Sequence, residues 1–357
     1  MAQIPGLRVG FAGTSNLDSR GHMVSPGLAK CMEDLGFEIS EENNLDVLIN
    51  INHNWKSISE QIKSSTSSPV LKILIRVEPS SVYPSQYTSE VESKYDLILT
   101  PGNVNVANQS EFIRYPYDYN LNPSAPSSST PDPLKIVDKN QKMGFYFFTN
   151  WEKRDIKCSL IAANKISPNG TGNYGLRRQF ASQNLSDGLN VYGQLWDSKL
   201  FSRLKYRLAV LKFAIQSKSE FHIMHIFADF FKKFKNVRGP VLDKHGIIAR
   251  SKFSLVIENT EDYVSEKLLD ALIGGSIPIY FGPSLEITGI PESLVIRCDR
   301  NDSNPLELVR KIDEAQIIEK LKAIVDFLNG DEFPLWLSDV VNMEICLRIA
   351  KFVRSYP

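Results

Sequence analysis

The side chains best suited to hold a phosphorylated ligand lie where a predicted strand meets a predicted helix. Glu258 and Asn259 directly follow the apolar run 253–257, which is typical of a buried strand. Apolar residues at helical spacing then predict a helix that begins near residues 263–265 and ends at Gly274–Gly275. The N-terminus of a helix presents free N–H groups and a partial positive charge, and both favour a bound phosphate.

Glu266 and Lys267 fall in the first turn of this predicted helix. Lys267 adds a full positive charge, and the Glu266 carboxylate can accept two hydrogen bonds, the usual way of holding the two hydroxyls of a ribose. Diphosphate beside ribose indicates a nucleotide. The alternative is that Glu266 only complements the helix dipole and that Lys267 is solvated. Their position shortly after Glu258 and Asn259, which follow the carboxyl end of a predicted strand, favours a nucleotide-binding site.

Other classes of nucleotide-binding protein are not favoured. A GxxxxGK[ST] loop is absent, and we expect no GxGxxG to open a helix after a predicted strand, which argues against ATPases and dehydrogenases. Asp-x-Asp is also absent, so a divalent metal bridging the diphosphate is not indicated. Lys267 and an arginine would neutralise the diphosphate instead.

The composition is that of an ordinary soluble globular protein with two domains. Single cores rarely grow beyond about 250–300 residues, and this chain has 357 residues, 42% of them hydrophobic. Its 41 basic residues balance 41 acidic ones, which argues against nucleic acid as a partner. Its four dispersed cysteines indicate neither a zinc site nor a disulfide framework. We recognise no signal peptide and no membrane-spanning run, and therefore expect a cytoplasmic protein.

Apolar runs alternate with helical segments in both halves of the chain, which predicts an α/β architecture with parallel sheets. The predicted strands are 7–13, 45–51, 70–77, 95–100, 142–150, 158–165, 190–193, 253–257, 277–281 and 294–297. A Pro- and Ser-rich linker or exposed loop, 122–133, separates the two sets. We expect two Rossmann-like domains, 1–135 and 136–333, facing a central cleft where the carboxyl ends of the strands bind ligands. An amphipathic helix in 334–357 would pack back on the body.

Residues 199–238, which we call the basic span, differ from their surroundings. They include ten Lys or Arg residues against only Glu220 and Asp229, together with many phenylalanines, and their sequence favours helices. One interpretation is a basic amphipathic surface for a membrane or an anionic glycan. The other, which is more common for such a pattern, is a helical pair with a solvated basic face.

Residues 252–280, from the predicted strand 253–257 to the predicted strand 277–281, resemble the signature of the alpha-1,3-fucosyltransferases, glycosyltransferase family 10. In that family a Lys-Phe strand leads into Phe/Tyr-Glu-Asn-Ser/Thr, then Tyr-Val-Thr-Glu-Lys, an apolar helix and Val/Ile-Pro-Val/Ile. The matching residues here are Lys252-Phe253, Ile257-Glu258-Asn259-Thr260, Tyr263-Val264-Ser265-Glu266-Lys267 and Ile277-Pro278-Ile279-Tyr280. The rest of the chain matches more loosely, and the basic span is longer than the family's usual connection.

The resemblance implies a GT-B fold with GDP-fucose as the donor. Glu266 would bind the ribose and Lys267 the diphosphate, while Glu258, Asn259 and Tyr263 would line the donor pocket. The family also places an arginine in a helix of the second domain. Arg177 matches it best and Arg178 is its close rival, although two adjacent arginines on a helix are often simply solvated. Either guanidinium could bind phosphate bidentately.

Glu78 takes the place of the family's catalytic glutamate after the predicted strand 70–77. A partly desolvated carboxylate at the end of a strand could accept the proton of an acceptor hydroxyl, although an ordinary acid at a strand end remains the alternative. The implied reaction is a single displacement with inversion that needs no metal. Two alternatives stay open, a transferase for GDP-mannose or GDP-rhamnose and a non-catalytic protein that binds sugar nucleotides or glycans.

Overall fold

The chain separates into two compact units, residues 1–121 with 334–357, and residues 122–333. The computed structural model describes residues 6–13, 25–40, 45–53, 70–102, 110–117, 151–167, 170–183, 188–196, 200–216, 221–227, 229–232, 234, 236–241, 243–302 and 304–356. The predicted linker 122–133, the predicted strand 142–150 and the predicted boundary after residue 135 all lie outside these residues.

The first unit is built on a six-stranded sheet in which every pair of neighbouring strands is parallel, in the order β2-β1-β3-β4-β5-β6. Its strands are β1 (Arg8–Gly13), β2 (Glu38–Ile39), β3 (Val47–Ile51), β4 (Leu71–Ile75), β5 (Leu97–Thr100) and β6 (Ser110–Phe112). The apolar runs predicted as strands 7–13, 45–51, 70–77 and 95–100 all contain one. All five residues of β3 are buried, as expected for a strand covered on both faces.

In the described residues this sheet is accompanied by α1 (Ser25–Asp34), the single turn α2 (Ser89–Glu92) and, from the end of the chain, α10 (Ser338–Ser355). A 3₁₀ turn, Pro84–Tyr87, precedes α2. The last helix, α10, buries Val341, Ile345 and Ile349 in the same core as Leu28 and Met32 of α1. The C-terminal segment therefore belongs to the first unit although the second unit separates the two in the sequence.

The second unit contains another parallel six-stranded sheet, in the order β12-β11-β10-β7-β8-β9. Its strands are β7 (Ile156–Ile161), β8 (Leu189–Tyr192), β9 (Val237–Gly239), β10 (Ser251–Ile257), β11 (Ile277–Phe281) and β12 (Ile296–Arg297). The central strands β7, β10 and β11 are apolar and almost wholly buried. Because the strands are parallel, their carboxyl ends meet at one edge of the sheet, which is where Glu258 follows β10.

Helices of the second unit connect its strands or, in the case of the last two described, follow the last strand, β12. They are α3 (Tyr174–Ser182), α4 (Leu200–Gln216), α5 (Ile223–Ile226), α6 (Lys244–Arg250), α7 (Glu266–Ile273), α8 (Pro305–Arg310) and α9 (Glu314–Asn329). Short 3₁₀ turns occur at Glu286–Thr288, Glu292–Leu294 and Phe333–Trp336. Among the helices that the structure describes, none combines the length and the apolar character needed to cross a membrane.

Candidate active site

The junction between β10 and α7 is fixed by the buried carboxylate of Glu258. Its two oxygens accept hydrogen bonds from the backbone N–H of Ser265 at 3.0 Å and from the Ser265 hydroxyl at 2.6 Å. Glu258 has no exposed surface. Burial raises the pKa of Glu258, and the nearby Lys267 and Ser265 oppose that shift. Glu258 therefore lies beneath the site and positions the start of the helix, rather than lining a pocket as predicted.

Ser265 is the N-cap of α7, so the helix begins where the sequence predicts it. Its hydroxyl oxygen accepts hydrogen bonds from the backbone N–H of Lys267 at 3.5 Å and from the Lys267 ammonium at 2.6 Å. The same ammonium lies 3.6 Å from an oxygen of Glu258. These contacts hold the Lys267 side chain against the first turn, where its charge adds to the positive end of the helix dipole.

Glu266 and Lys267 line a cavity of about 220 Å³ between α6, α7 and the sheet. Their side chains remain 32% and 22% exposed, and their charged atoms are 3.7 Å apart. Burial raises the pKa of Glu266, but Lys267 and Lys244 outweigh it and the pKa lies below its usual value. Glu266 is therefore a charged acceptor at neutral pH, as binding of ribose hydroxyls requires.

Two further charged residues of this cavity were not predicted from the sequence. The ammonium of Lys244 in α6 contacts the carboxylate of Asp270 in α7 at 2.5 Å, and both residues line the cavity. Burial lowers the pKa of Lys244, but Asp270 and Glu266 outweigh it and the pKa is raised. The signal in the sequence was the spacing of Asp270, which follows Glu266 by one helical turn and so lies on the same face of α7.

Arg177 lies at the carboxyl end of β10 and does not line the cavity beside α7. Its guanidinium donates to the carbonyl of Ile257 at 2.5 Å and to the side-chain oxygen of Asn259 at 2.7 Å. It is only 4% exposed, and burial lowers its pKa. Its Nε has no hydrogen-bond partner in the described part of the chain. Tyr263, predicted to line the donor pocket, is 3% exposed and is instead part of the core.

A glycine-rich loop opens α3 after β7, and the prediction that no GxGxxG does so is wrong. Gly170-Thr171-Gly172-Asn173-Tyr174-Gly175 has this spacing and runs into the first turn of α3. Gly170 and Gly172 have φ angles of 76° and 82°, a left-handed conformation that favours glycine. The backbone N–H of Asn173 donates to the carbonyl of Asn259 at 2.8 Å. The N-termini of α3 and α7 therefore flank the same strand end.

A second cavity, of about 430 Å³, lies over this loop and the N-terminus of α3. Its basic lining residues are Arg178, Arg300 and His225. Arg178 is buried and forms an ion pair with Asp229 at 3.2 Å. The structure thus separates the two rival arginines, since Arg178 faces a cavity and Arg177 secures the end of β10. A glycine-rich loop at a helix N-terminus with a cation beside it is suited to bind phosphate.

In the first unit, Glu78 lies three residues beyond β4 and its backbone is held by polar side chains. The side-chain oxygen of Asn52 accepts hydrogen bonds from the backbone N–H groups of Val77 at 3.0 Å and Glu78 at 3.1 Å. The carbonyl of Glu78 accepts from the Gln86 amide at 2.7 Å and the Tyr87 hydroxyl at 2.9 Å. Glu78 is half-buried. These contacts fix the position of the backbone from which its carboxylate projects.

His53 extends this network into the core of the first unit. Its Nδ1 lies 2.7 Å from the Tyr95 hydroxyl, and its backbone N–H donates to the Gln86 side chain at 3.2 Å. Burial, with a smaller contribution from Lys94, lowers the pKa of His53 to about 4. The fold therefore holds a neutral imidazole at pH 7.

The stability of the first unit should depend on pH through His53. Because its pKa is lower in the folded protein than the ordinary value of 6.5, the unfolded chain binds the proton more tightly. The stabilisation is complete above pH 6.5 and is lost as pH falls toward the folded pKa. The loss reaches at most about 3.5 kcal/mol once the pH is below the folded pKa, since one pKa unit corresponds to about 1.4 kcal/mol. Urea unfolding followed from neutral to acidic pH measures it.

His53→Gln should show a weaker dependence on pH over this range than the wild type. The matched control is His222→Gln, which replaces an exposed histidine and should leave the wild-type dependence intact. Equal pH dependence in the wild type and His53→Gln would contradict the role assigned to His53.

Comparison with known proteins supports the assignment of the fold. No protein-family model matches the chain. A crystal structure of an alpha1,3-fucosyltransferase with GDP superimposes with a TM-score of 0.54 over 100% of this chain and 93% of that one, at 14% sequence identity. HepE from Anabaena, in complex with UDP and glucose, also gives a TM-score of 0.54, at 9% identity over 97% of this chain and 100% of that one. The chain therefore has the GT-B fold of nucleotide-sugar glycosyltransferases.

Two sequence relatives match a short stretch of the chain. The chain is 50% identical over 54 residues to an alpha-(1,4)-fucosyltransferase of Arabidopsis thaliana, and 48% identical over 48 residues to a fucosyltransferase-like protein of the same plant. These matches cover 15% and 13% of this chain, and only 14% and 9% of the relatives. The predicted resemblance to fucosyltransferases is confirmed.

Proposed function

We propose that the chain is a glycosyltransferase that moves fucose from GDP-fucose to a hydroxyl of a glycan, with inversion and without a metal. The observation that carries this proposal is the pair Glu266 and Lys267 at the start of α7, on the wall of the 220 Å³ cavity. A carboxylate and an ammonium side by side at a helix N-terminus suit a ribose and a diphosphate.

Charges on both sides of the strand end would hold the diphosphate. Lys267 and the N-terminus of α7 lie on one side of Asn259, and the glycine-rich loop with Arg178 lies on the other. Arg177 adds a buried positive charge at the same strand end. As the bond to the sugar breaks, negative charge grows on the leaving GDP, and fixed cations stabilise that charge in the transition state. The fixed cations take the place of a metal in this proposal.

Lys244 and Asp270 favour guanine as the base. Guanine carries a carbonyl acceptor, O6, and N–H donors that include its N2 amino group. The Asp270 carboxylate can accept from the two adjacent N–H donors of guanine, N1 and the N2 amino group, whereas uracil has a single ring N–H; the Lys244 ammonium can donate to O6. Fold likeness does not decide between bases, because the superimposed neighbours contain GDP in one case and UDP in the other.

The transferred sugar is supported by the sequence relatives, which are named as fucosyltransferases. In the proposed reaction Glu78 takes the proton of the acceptor hydroxyl, whose oxygen attacks the anomeric carbon while GDP leaves. The nucleotide-facing residues do not discriminate fucose from mannose or rhamnose, so a transferase for another GDP-sugar is the second candidate. We place the enzyme in the cytoplasm as part of the same proposal.

Titration calorimetry with GDP, UDP, GDP-fucose and GDP-mannose tests the donor. We expect binding of GDP and GDP-fucose, weaker binding of GDP-mannose, and little binding of UDP, whose base lacks the amino donor that Asp270 would contact beside the ring N–H. Affinities and transfer rates should be unchanged by EDTA. Tight binding of UDP without binding of GDP would refute the donor assignment, and loss of transfer in EDTA would refute metal independence.

A further inference from the structure

The basic span exposes apolar side chains in an unusual concentration. Among the described residues, fourteen large hydrophobic side chains are exposed, and ten of them lie between residues 200 and 231. They are Leu200, Phe201, Leu204, Leu208, Phe213, Ile215, Phe221, Ile223, Met224 and Phe231. Phe201, Met224 and Phe231 are 76%, 80% and 81% exposed. The simpler interpretation of the basic span, a solvated basic face over an inward apolar one, does not account for these exposures.

Four of the six exposed large apolar residues of α4 share one face of the helix, and Leu200 and Phe213 lie outside it. At about 100° per residue, four large apolar residues and two lysines fall within an arc of about 100° on one face of the helix. They are Phe201, Leu204, Lys205, Leu208, Lys212 and Ile215. The opposite face packs inward through Arg207 and Ala214, which are 3% and 0% exposed. We call the outward stripe the apolar-basic face.

The charged residues on α4 have one sign. Helix α4 contains four basic residues and no acidic one. Arg203 and Arg207 are used internally, since they donate to backbone carbonyls, which leaves Lys205 and Lys212 as the exposed cations. Asp229, the acidic residue in the described part of the basic span, is engaged by Arg178 and Lys232. The partner of this face should therefore be negatively charged as well as apolar.

We propose that the apolar-basic face of α4 docks on the surface of a membrane that contains anionic lipids. An amphipathic helix with lysines and aromatic or aliphatic residues lies in the plane of the interface, with its apolar side chains among the acyl chains and its ammonium groups at the headgroups. Anionic lipids coat the cytoplasmic leaflet, which agrees with the proposed location. Ile223 and Met224 belong to α5, which contacts α4, and they add exposed apolar surface beside it.

Co-sedimentation with vesicles tests this proposal on the full chain. The protein should bind vesicles of phosphatidylcholine with about a third phosphatidylglycerol, and bind pure phosphatidylcholine far less. Lys205→Glu combined with Lys212→Glu should weaken binding by about 30-fold or more, since each lysine at such a surface contributes about 1 kcal/mol and its reversal costs more. Phe201→Gln combined with Leu208→Gln should weaken binding to both kinds of vesicle.

Matched controls use the same substitutions elsewhere. Lys311→Glu with Lys351→Glu replaces exposed lysines at the end of α8 and in α10, and Ile318→Gln replaces an exposed apolar residue of α9. All of these variants should bind vesicles as the wild type does. The α4 variants should keep their GDP affinity, which shows that they fold. Equal binding of wild type and α4 variants would overturn the proposal. A dimer that is lost in Phe201→Gln with Leu208→Gln, without vesicle binding by the wild type, would also overturn it and assign the face to a second copy.

Discussion

Replacing Glu78 with glutamine is expected to lower the rate of sugar transfer by about 10²- to 10⁴-fold, the usual contribution of a positioned general base. Glutamine keeps the shape of the side chain but cannot take the proton of the acceptor hydroxyl. The backbone at this position is held by Asn52, Gln86 and Tyr87, so the substitution should leave the local structure in place. GDP affinity should be unchanged, because the donor residues lie in the second unit.

Transfer of labelled fucose from GDP-fucose to a panel of oligosaccharides measures this effect. The matched control is Glu90→Gln, which replaces an 85% exposed glutamate of the same unit that pairs with Lys94. That variant should transfer at the wild-type rate. Unchanged transfer by Glu78→Gln would remove Glu78 from the reaction. If neither the wild type nor the variant transfers any sugar although both bind GDP, the non-catalytic alternative is favoured.

Lys267→Met should weaken the binding of GDP by about 10- to 100-fold. A hydrogen bond to a charged group contributes about 1.5–3 kcal/mol, and each 1.4 kcal/mol is about tenfold in affinity. Affinity for guanosine should change little, because guanosine lacks the phosphates that the ammonium would contact. Calorimetry with both ligands therefore separates a lost phosphate contact from a general distortion. Lys267→Arg should retain part of the GDP affinity because it keeps the charge.

Lys252, near the start of β10, provides the control. Lys252 in β10 lies 3.7 Å from Glu152 and is 28% exposed, so Lys252→Met should bind GDP normally. Removing Lys267 also leaves the buried Glu258 carboxylate without its nearby cation. We therefore expect Lys267→Met to unfold at a lower temperature than Lys252→Met. Equal losses of GDP and guanosine affinity would attribute the effect to this destabilisation instead of a phosphate contact.

The sheets were the most predictable part of the structure. Long apolar runs such as those of β3 and β10 are stable only when they are buried. Their alternation with helices implies parallel strands. The edge strands β2, β6 and β9 were missed, since they have only two or three residues and little apolar content. Helix α6 was also missed, because its seven residues are too few for a clear apolar period.

The candidate site was predictable in its position but not in the orientation of its side chains. A sequence with Glu258 and Tyr263 beside Lys267 is equally compatible with ligand contacts and with internal ones. The structure shows that Ser265 and Lys267 satisfy Glu258 internally. The pair Lys244 and Asp270 could not be read from the sequence, because it joins residues 26 positions apart. Only the packing of α6 beside α7 brings them together.

The glycine-rich loop is visible in the sequence as the spacing of the glycines in residues 170–175, and the prediction missed it; the contacts that hold it in place are not visible there. Asn173, the N-cap of α3, forms no side-chain capping hydrogen bond to the helix. Its side-chain oxygen accepts instead from Arg300 at 2.8 Å, and its backbone N–H donates to Asn259. The start of α3 therefore depends on contacts with residues far along the chain, which local sequence signals do not report.

The basic span contributes both to the apolar-basic face of α4 and to the wall of the second cavity, so binding of lipid and binding of the donor can influence each other. Asp229 in the basic span pairs with Arg178 over the glycine-rich loop. A side chain at Gly170 would collide with the His225 ring, since its Cβ would lie 2.6 Å from that ring. If bound lipid orders the span, it also orders one wall of the second cavity. Thermodynamic linkage then makes the effect reciprocal. If lipid raises the affinity of the protein for the donor, the bound donor raises the affinity of the protein for lipid by the same factor.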